Sequence, residues 1–222
     1  MTLEKVVNLS DTCSIAGQYM AELRSMDYQQ NRALFRNNIE RIGMLEAFEI
    51  SKTLNYEPQF VETPLGVANV NVHTDEIVLA TLFRAGLPMH QGFLKVFDHA
   101  DNAFVSAYRK YKDNSNTDVD IFVEYIATPS LEGKTLIIAD PMLATGGSIA
   151  LGYKALSKYG TPARIHVACV VATWEGIDVV RKELPDGITT IWCGAIDNEL
   201  NANKYIVPGL GDAGDLCFGG KL

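Results

Sequence analysis

The sequence predicts an α/β fold: an open, mostly parallel sheet flanked by helices. Three observations predict it. Short continuous apolar runs recur at 77–83, 136–139, 165–172 and 188–193, the pattern of strands buried on both faces. Stretches with helical spacing alternate with them, which calls for parallel strands joined by right-handed crossovers. Two of the runs end on a charged residue followed by glycines, at Arg84-Ala85-Gly86 and at Asp140 to Gly147. Ligands of such sheets bind beyond the carboxyl ends of the strands.

The bulk numbers suit one soluble domain spanning 1–222, with 47% hydrophobic and 21% charged residues. The net charge of −8, from 19 basic and 27 acidic residues, argues against a nucleic-acid partner, which needs a basic surface. It leaves room for a small anionic ligand in a local positive pocket. No apolar run approaches the ~18 residues of a membrane span, and Met1-Thr2-Leu3-Glu4-Lys5 has no signal-peptide pattern. Cys13, Cys169, Cys193 and Cys217 form no C-x-x-C and read as buried small hydrophobes in a reducing cytosol. The expected location is the cytoplasm.

Taken in order, Asp11 to Leu23 spaces Ile15, Tyr19 or Met20, and Leu23 along one helical face. Asp27, three residues before Gln30, resembles a capping box and opens a longer helix with Leu34, Phe35, Ile39, Ile42, Leu45 and Phe48 at helical spacing. Around Pro64-Leu65-Gly66 the chain alternates polar and apolar residues, a hairpin arm over about 56–73. The 77–83 run ends at Arg84-Ala85-Gly86-Leu87, and a helix through Phe93, Leu94 and Phe97 follows. Ala103 to Tyr111 is an aromatic-rich strand carrying Arg109, and Val119 to Ala127 returns. The polar stretch between them, Lys110 to Asn116, is either a hood over the site or a solvated hairpin tip. His166 reads as a satisfied core or edge histidine, and Glu175-Gly176 opens a short helix through Ile177, Val180 and Leu184.

The organising stretch is 135–148. Leu136 to Ala139 is the strand, and Asp140 puts a carboxylate at its tip. Thr145-Gly146-Gly147-Ser148 is a hydroxyl-and-glycine turn leading into a helix at 149–156. Adjacent glycines let several N–H groups converge on a ligand, and the helix N-terminus favours an anion. This is a phosphate cradle beside a carboxylate. Near the C-terminus, Gly209-Leu210-Gly211-Asp212-Ala213-Gly214 formally matches the G-x-G-x-x-G dinucleotide fingerprint. Eight residues follow Gly214, too few for the βαβ unit that the fingerprint requires, so a dinucleotide oxidoreductase is excluded. A glycine-rich loop here exposes backbone donors and acceptors suited to a small planar heterocycle.

Asp140-Pro141-Met142-Leu143-Ala144-Thr145-Gly146-Gly147-Ser148, Arg84-Ala85-Gly86-Leu87, Tyr108-Arg109 and Tyr205-Ile206-Val207-Pro208-Gly209-Leu210-Gly211-Asp212-Ala213-Gly214-Asp215 resemble, in order, motifs of the uracil phosphoribosyltransferases. These belong to the type I phosphoribosyltransferases, and the resemblance spans roughly Asp27 to Lys221. It implies that fold and transfer of phosphoribose from phosphoribosyl diphosphate (PRPP) to uracil, giving UMP and pyrophosphate. It places PRPP on Arg84, Arg109, Asp212 and residues 140–148, that is Asp140, Pro141, Met142, Leu143, Ala144, Thr145, Gly146, Gly147 and Ser148. It places uracil on Ile206, Gly211, Asp212 and Ala213, within a base loop at about 197–222. Asp140, Arg84, Arg109 and Asp212 are the expected catalytic residues.

The resemblance also implies Mg²⁺, bound mainly by substrate oxygens with Asp212 helping through water. Pro141 stands where most type I relatives carry a second acid. No residue is assigned as base for uracil N1. The hairpin arm is expected to embrace a second subunit in a homodimer or homotetramer, and GTP is a candidate activator because some relatives are so regulated. The main alternative is a non-catalytic sensor of PRPP or nucleotides on the same fold. A purine-base transferase is a second, disfavoured by Pro141 and the C-terminal loop.

Overall fold

The computed structural model describes residues 6–111 and 119–220, and, of the side chains in this range, those outside 107–124. The chain begins with edge strand β1 (Val6–Asn8) and a 3-10 turn at Leu9–Asp11. Ser14 then caps α1 (Ile15–Arg24) by accepting the N–H of Ala16. The first helix therefore starts after Asp11, contrary to the sequence reading. Its buried row is Ala16, Met20 and Leu23, spaced i, i+4, i+7, and Ile15 falls outside it at 54% exposure.

The long helix is also re-phased. Ser25 caps a single turn, α2 (Met26–Gln29), in which Asp27 sits. Asn31 Oδ1 accepts the N–H groups of Ala33 and Leu34 and starts α3 (Arg32–Ser51). Asn31 satisfies two free amides at once, which makes it the stronger start signal. Phe35, Ile39 and Ile42 are buried as expected, whereas Leu34 and Phe48 are exposed. The buried face is completed by two polar residues, Asn38 and Glu46.

β2 (Tyr56–Thr63) and β3 (Gly66–His73) form the hairpin arm, paired from Tyr56↔His73 to Thr63↔Gly66 about a Pro64-Leu65 turn. Nearly all of it is exposed, Phe60 to 73% and Leu65 fully. The body follows: β4 (Ile77–Leu82), α4 (Gly86–Leu94), β5 (Asp101–Tyr111), β6 (Val119–Ala127), β7 (Thr135–Ala139), β8 (Met142–Leu143), α5 (Gly147–Leu156), β9 (Arg164–Thr173), α6 (Trp174–Glu183) and β10 (Thr189–Asp197). Two short strands, β11 (Glu199–Leu200) and β12 (Ile206–Val207), pair with each other, and α7 (Ala213–Phe218) closes the described chain.

The main sheet runs β1-β10-β9-β7-β4-β5-β6, with β8 added to β9. Every pairing is parallel except β5 with β6. Both faces are covered, as the apolar runs predict. Ile77 and Leu79 of β4 join the core under α1, α3, α4 and α7. Val78, Ala80 and Leu82, one residue out of phase, join the core under α5 and α6. Three cysteines are buried and free, while Cys13 is exposed and so departs from the expected pattern. His166 is buried and accepts from the Trp192 indole at 3.0 Å on Nδ1, but its Nε2 has no partner. It is half satisfied rather than satisfied.

Candidate active site

The site is built where β4 and β7 end side by side, with Thr81 and Ala139 as Cα partners. The loop after β4 carries Arg84 and the loop after β7 carries Asp140. Gly86 brings the two together: a Cβ there would lie 2.2 Å from Thr81 Oγ1 and 2.8 Å from the Ala139 carbonyl. Any side chain at 86 would push the loops apart.

Asp140 faces the crevice, and burial raises its pKa to about 7. The Met142 N–H, donating to Oδ1 at 3.4 Å, opposes that rise. Pro141 turns inward, its carbonyl accepting the N–H groups of Val170 and Val171. Gly146 caps α5 with a left-handed backbone, φ 73. A Cβ at that position would meet the Gly176 carbonyl at 2.7 Å and Val179 at 2.8 Å. Glycine is needed there both for its φ and for the close approach of α6.

The C-terminal loop is held by residues that carry no motif. Arg24 donates to both carboxylate oxygens of Asp197, at 2.8 and 2.9 Å, and to the Gly209 carbonyl. The Gly209 N–H returns to Asp197 at 2.9 Å. Gln29 donates to the Leu210 carbonyl and Arg36 to that of Cys217. Asp212 caps α7 by accepting the Asp215 N–H at 3.0 Å. Arg84 reaches this helix, donating to Asp215 Oδ1 at 2.7 Å and to the Gly219 carbonyl at 3.1 Å.

One cavity of about 280 Å³ joins these parts. Of the residues expected from sequence, Arg84, Asp140, Met142, Ala144, Ser148, Ile206, Gly211, Asp212 and Ala213 line it. Pro141, Leu143, Thr145, Gly146 and Gly147, also expected there, do not line it, and the Leu143 side chain is buried in the core under α5 and α6. Arg109 lies on β5 opposite Ile121, its side chain outside the described residues; of the expected hood, Lys110 and Tyr111 instead end β5, and 112–116 lie outside the described residues. Sequence reasoning missed Phe83, Lys204 and Tyr205 on the cavity wall. It also missed the supports Arg24, Gln29, Arg36, Asp197 and Asp215. Asp215 stood within the C-terminal string but had no assigned task; the others carry no local signal.

A carboxylate at a central strand tip, a helix start at Ser148 and a backbone-rich loop thus meet at one cavity. The family model described as uracil phosphoribosyltransferase matches residues 10–220. The chain is 51% identical over 218 residues to the uracil phosphoribosyltransferase of Porphyromonas gingivalis, covering 98% of this chain and all of that one. It is 42% identical over 189 residues to that of Methanothermobacter thermautotrophicus, covering 84% of each. A solved protein from Aquifex aeolicus superposes with a TM-score of 0.83 at 27% identity, over 98% of this chain and 99% of that one. The chain belongs to the uracil phosphoribosyltransferase family.

Proposed function

We propose that the protein transfers phosphoribose from PRPP to N1 of uracil, releasing pyrophosphate and forming UMP, in pyrimidine salvage in the cytoplasm. The observation that supports this reading is that one cavity is lined together by Asp140, Ser148, Arg84 and Tyr205, Ile206, Gly211, Asp212, Ala213 and Gly214. The C1′–O bond to pyrophosphate breaks and the C1′–N1 bond forms, through an oxocarbenium-like state, and the uracil N1 proton leaves to water or to the departing pyrophosphate.

Each part then has a task. The turn from Ala144 to Ser148 holds the 5′-phosphate on its N–H groups, at the start of α5. Arg84, with Arg109, neutralises the departing pyrophosphate. Asp140 hydrogen-bonds the ribose hydroxyls and stabilises positive charge on the ring once ionised. Ile206, Gly211 and Ala213 contact uracil, and Asp212 faces the ribose.

The donor set fits a Mg²⁺ ion held mainly by substrate. Among the described residues no group of three or more His, Cys, Asp or Glu is placed to chelate a metal, and Pro141 removes a carboxylate. Asp212 lines the cavity and would hold the ion through water. When bound, the ion would offset charge on the pyrophosphate.

Residues 1–222 act as one domain in this reading, with the 56–73 arm gripping a second copy of the chain in a homodimer or homotetramer. The exposed apolar residues of the arm support that (Phe60, Leu65, Val67). No helix among the described residues is long and apolar enough to cross a membrane.

The test is a calorimetric titration with PRPP in Mg²⁺, with uracil then added and pyrophosphate measured, with and without GTP as candidate activator. Pyrophosphate release only on uracil addition supports the reading. PRPP binding without turnover on any base makes the protein a sensor, and the absence of PRPP binding removes the assignment of the 140–148 stretch.

A further inference from the structure

Lys204 lies on the turn between β11 and β12, outside every motif above. Among the described residues it is the one non-glycine with a left-handed backbone, φ 63. Its neighbours hold it there. The Lys204 N–H donates to the Asn201 carbonyl at 2.9 Å, and Asn201 Oδ1 accepts the N–H groups of Asn203 and Tyr205. Glycine would adopt this conformation without strain, so the lysine is kept against local backbone preference.

Its surroundings suggest why. Lys204 lines the same cavity as Asp140, Ala144 and Ser148. Its ammonium has Glu175 Oε1 at 3.8 Å, with both side chains more than half exposed. That is longer than a hydrogen bond and too exposed to hold the ammonium firmly. Glu175 stands beside Gly176, which packs against the phosphate turn: a Cβ on Gly176 would lie 2.6 Å from the carbonyls of both Leu143 and Ala144. The ammonium is thus poised at the outer wall of the turn assigned to the 5′-phosphate. Arg84, the other cation lining the cavity among the described residues, is already engaged by Asp215 and Gly219.

We propose that Lys204 is a donor-binding residue: it leaves Glu175 and closes on the 5′-phosphate of PRPP, or of UMP, from the base-loop side. This rests on the transferase reading above. An ammonium against a phosphate oxygen forms a charge-assisted hydrogen bond, and the turn that carries Lys204 leads directly into Tyr205 and Ile206 of the base loop. Filling the phosphate site would therefore also draw in the loop that holds the base.

The test compares wild type with Lys204→Gln, Lys204→Gly and Lys204→Arg, measuring the UMP dissociation constant and the KM values for PRPP and uracil. Loss of the charge should weaken UMP binding and raise the PRPP KM by about tenfold in the Gln and Gly variants. Arg should retain most of both, and the uracil KM should move less. Glycine separates charge from backbone, because it relieves the left-handed position while removing the ammonium. A Gly variant that binds UMP as wild type does would overturn the proposal, as would Gln and Gly variants with unaltered PRPP KM. Absence of pyrophosphate release by the wild-type protein would instead overturn the transferase reading itself.

Discussion

The Arg84 guanidinium meets the Asp215 carboxylate at 2.7 Å across 131 residues of chain. This contact joins the loop after β4 to the helix that follows the base loop, so the two halves of the cavity share one fastening. Arg84→Ala removes both the fastening and the charge proposed to face pyrophosphate, and kcat/KM for PRPP should fall by about 10²-fold or more. Asp215→Asn keeps the charge and loosens only its placement, so a smaller loss is expected, spread over the KM values of PRPP and uracil. Steady-state kinetics check both. Normal turnover by Arg84→Ala would take that residue out of the reaction.

Asp140 makes activity and stability depend on pH. Burial raises its pKa to about 7 in the free protein, and the ionised form is the one proposed to stabilise positive charge on the ribose. The pH profile of kcat/KM, which reports the free enzyme, should have a rising limb near pH 7. Asp140→Asn should lower turnover and lose that limb. The effect on stability runs the other way. The unfolded carboxyl releases its proton near 3.8, the ordinary aspartate value, while the folded one keeps it to about 7. Asp140 therefore stabilises at low pH, and that contribution drains away as pH rises between these values. Urea unfolding of Asp140→Asn should show a flatter pH dependence over the same window.

Arg24 and Asp197 test whether anchoring the base loop matters to base binding. Asp197 is almost fully buried and accepts from Arg24 and Gly209. Arg24→Ala leaves that carboxylate underpaired and should cost about 1–3 kcal/mol of stability. The loop it holds ends at the proposed uracil contacts, so the uracil KM should rise more than the PRPP KM. Equal changes in both would show that the anchor acts on the whole cavity.

Glu46 lies fully buried on α3, and neither carboxylate oxygen has a hydrogen-bond partner. Burial, with Cys193 nearby, raises its pKa well above the usual carboxylate value. Glu46→Met fills similar space without the unsatisfied oxygens and should stabilise by about 1–3 kcal/mol. With the folded pKa raised, the stability that Glu46 contributes is complete below its unfolded pKa and drains away as pH rises. The advantage of the Met variant should therefore grow with pH, and urea midpoints at several pH values would show it. A destabilised variant would mean that the carboxyl has a partner the fold depends on.

The arm makes the proposed oligomer testable. Leu65 at its turn is fully exposed and Phe60 largely so. Leu65→Glu combined with Phe60→Glu should disperse the proposed assembly in sedimentation experiments, and the body should remain folded, because its core lies elsewhere. An unchanged sedimentation coefficient would remove the arm from the interface.

Several features of this protein were legible in the sequence because their causes are local. Continuous apolar runs mark strands covered on both faces, so the sheet and its crossovers could be read from 77–83, 136–139 and 165–172. The turn at Gly146 and the backbone-rich loop at 209–214 follow from what glycine alone permits, and the acid at 140 from its place at the end of a strand. Two helix starts were misplaced, at Asp11 where Ser14 is the cap and at Asp27 where Asn31 is, because patterning ranks nearby polar residues poorly as caps. Tertiary structure decided the rest: that Arg84 is held by Asp215, that Asp197 and Arg24 clamp the base loop, that Glu46 faces the core, and that Lys204 stands at the cavity wall. Each depends on which distant segments the strand order brings together. A charged side chain's partner is set by that geometry rather than by its neighbours in sequence.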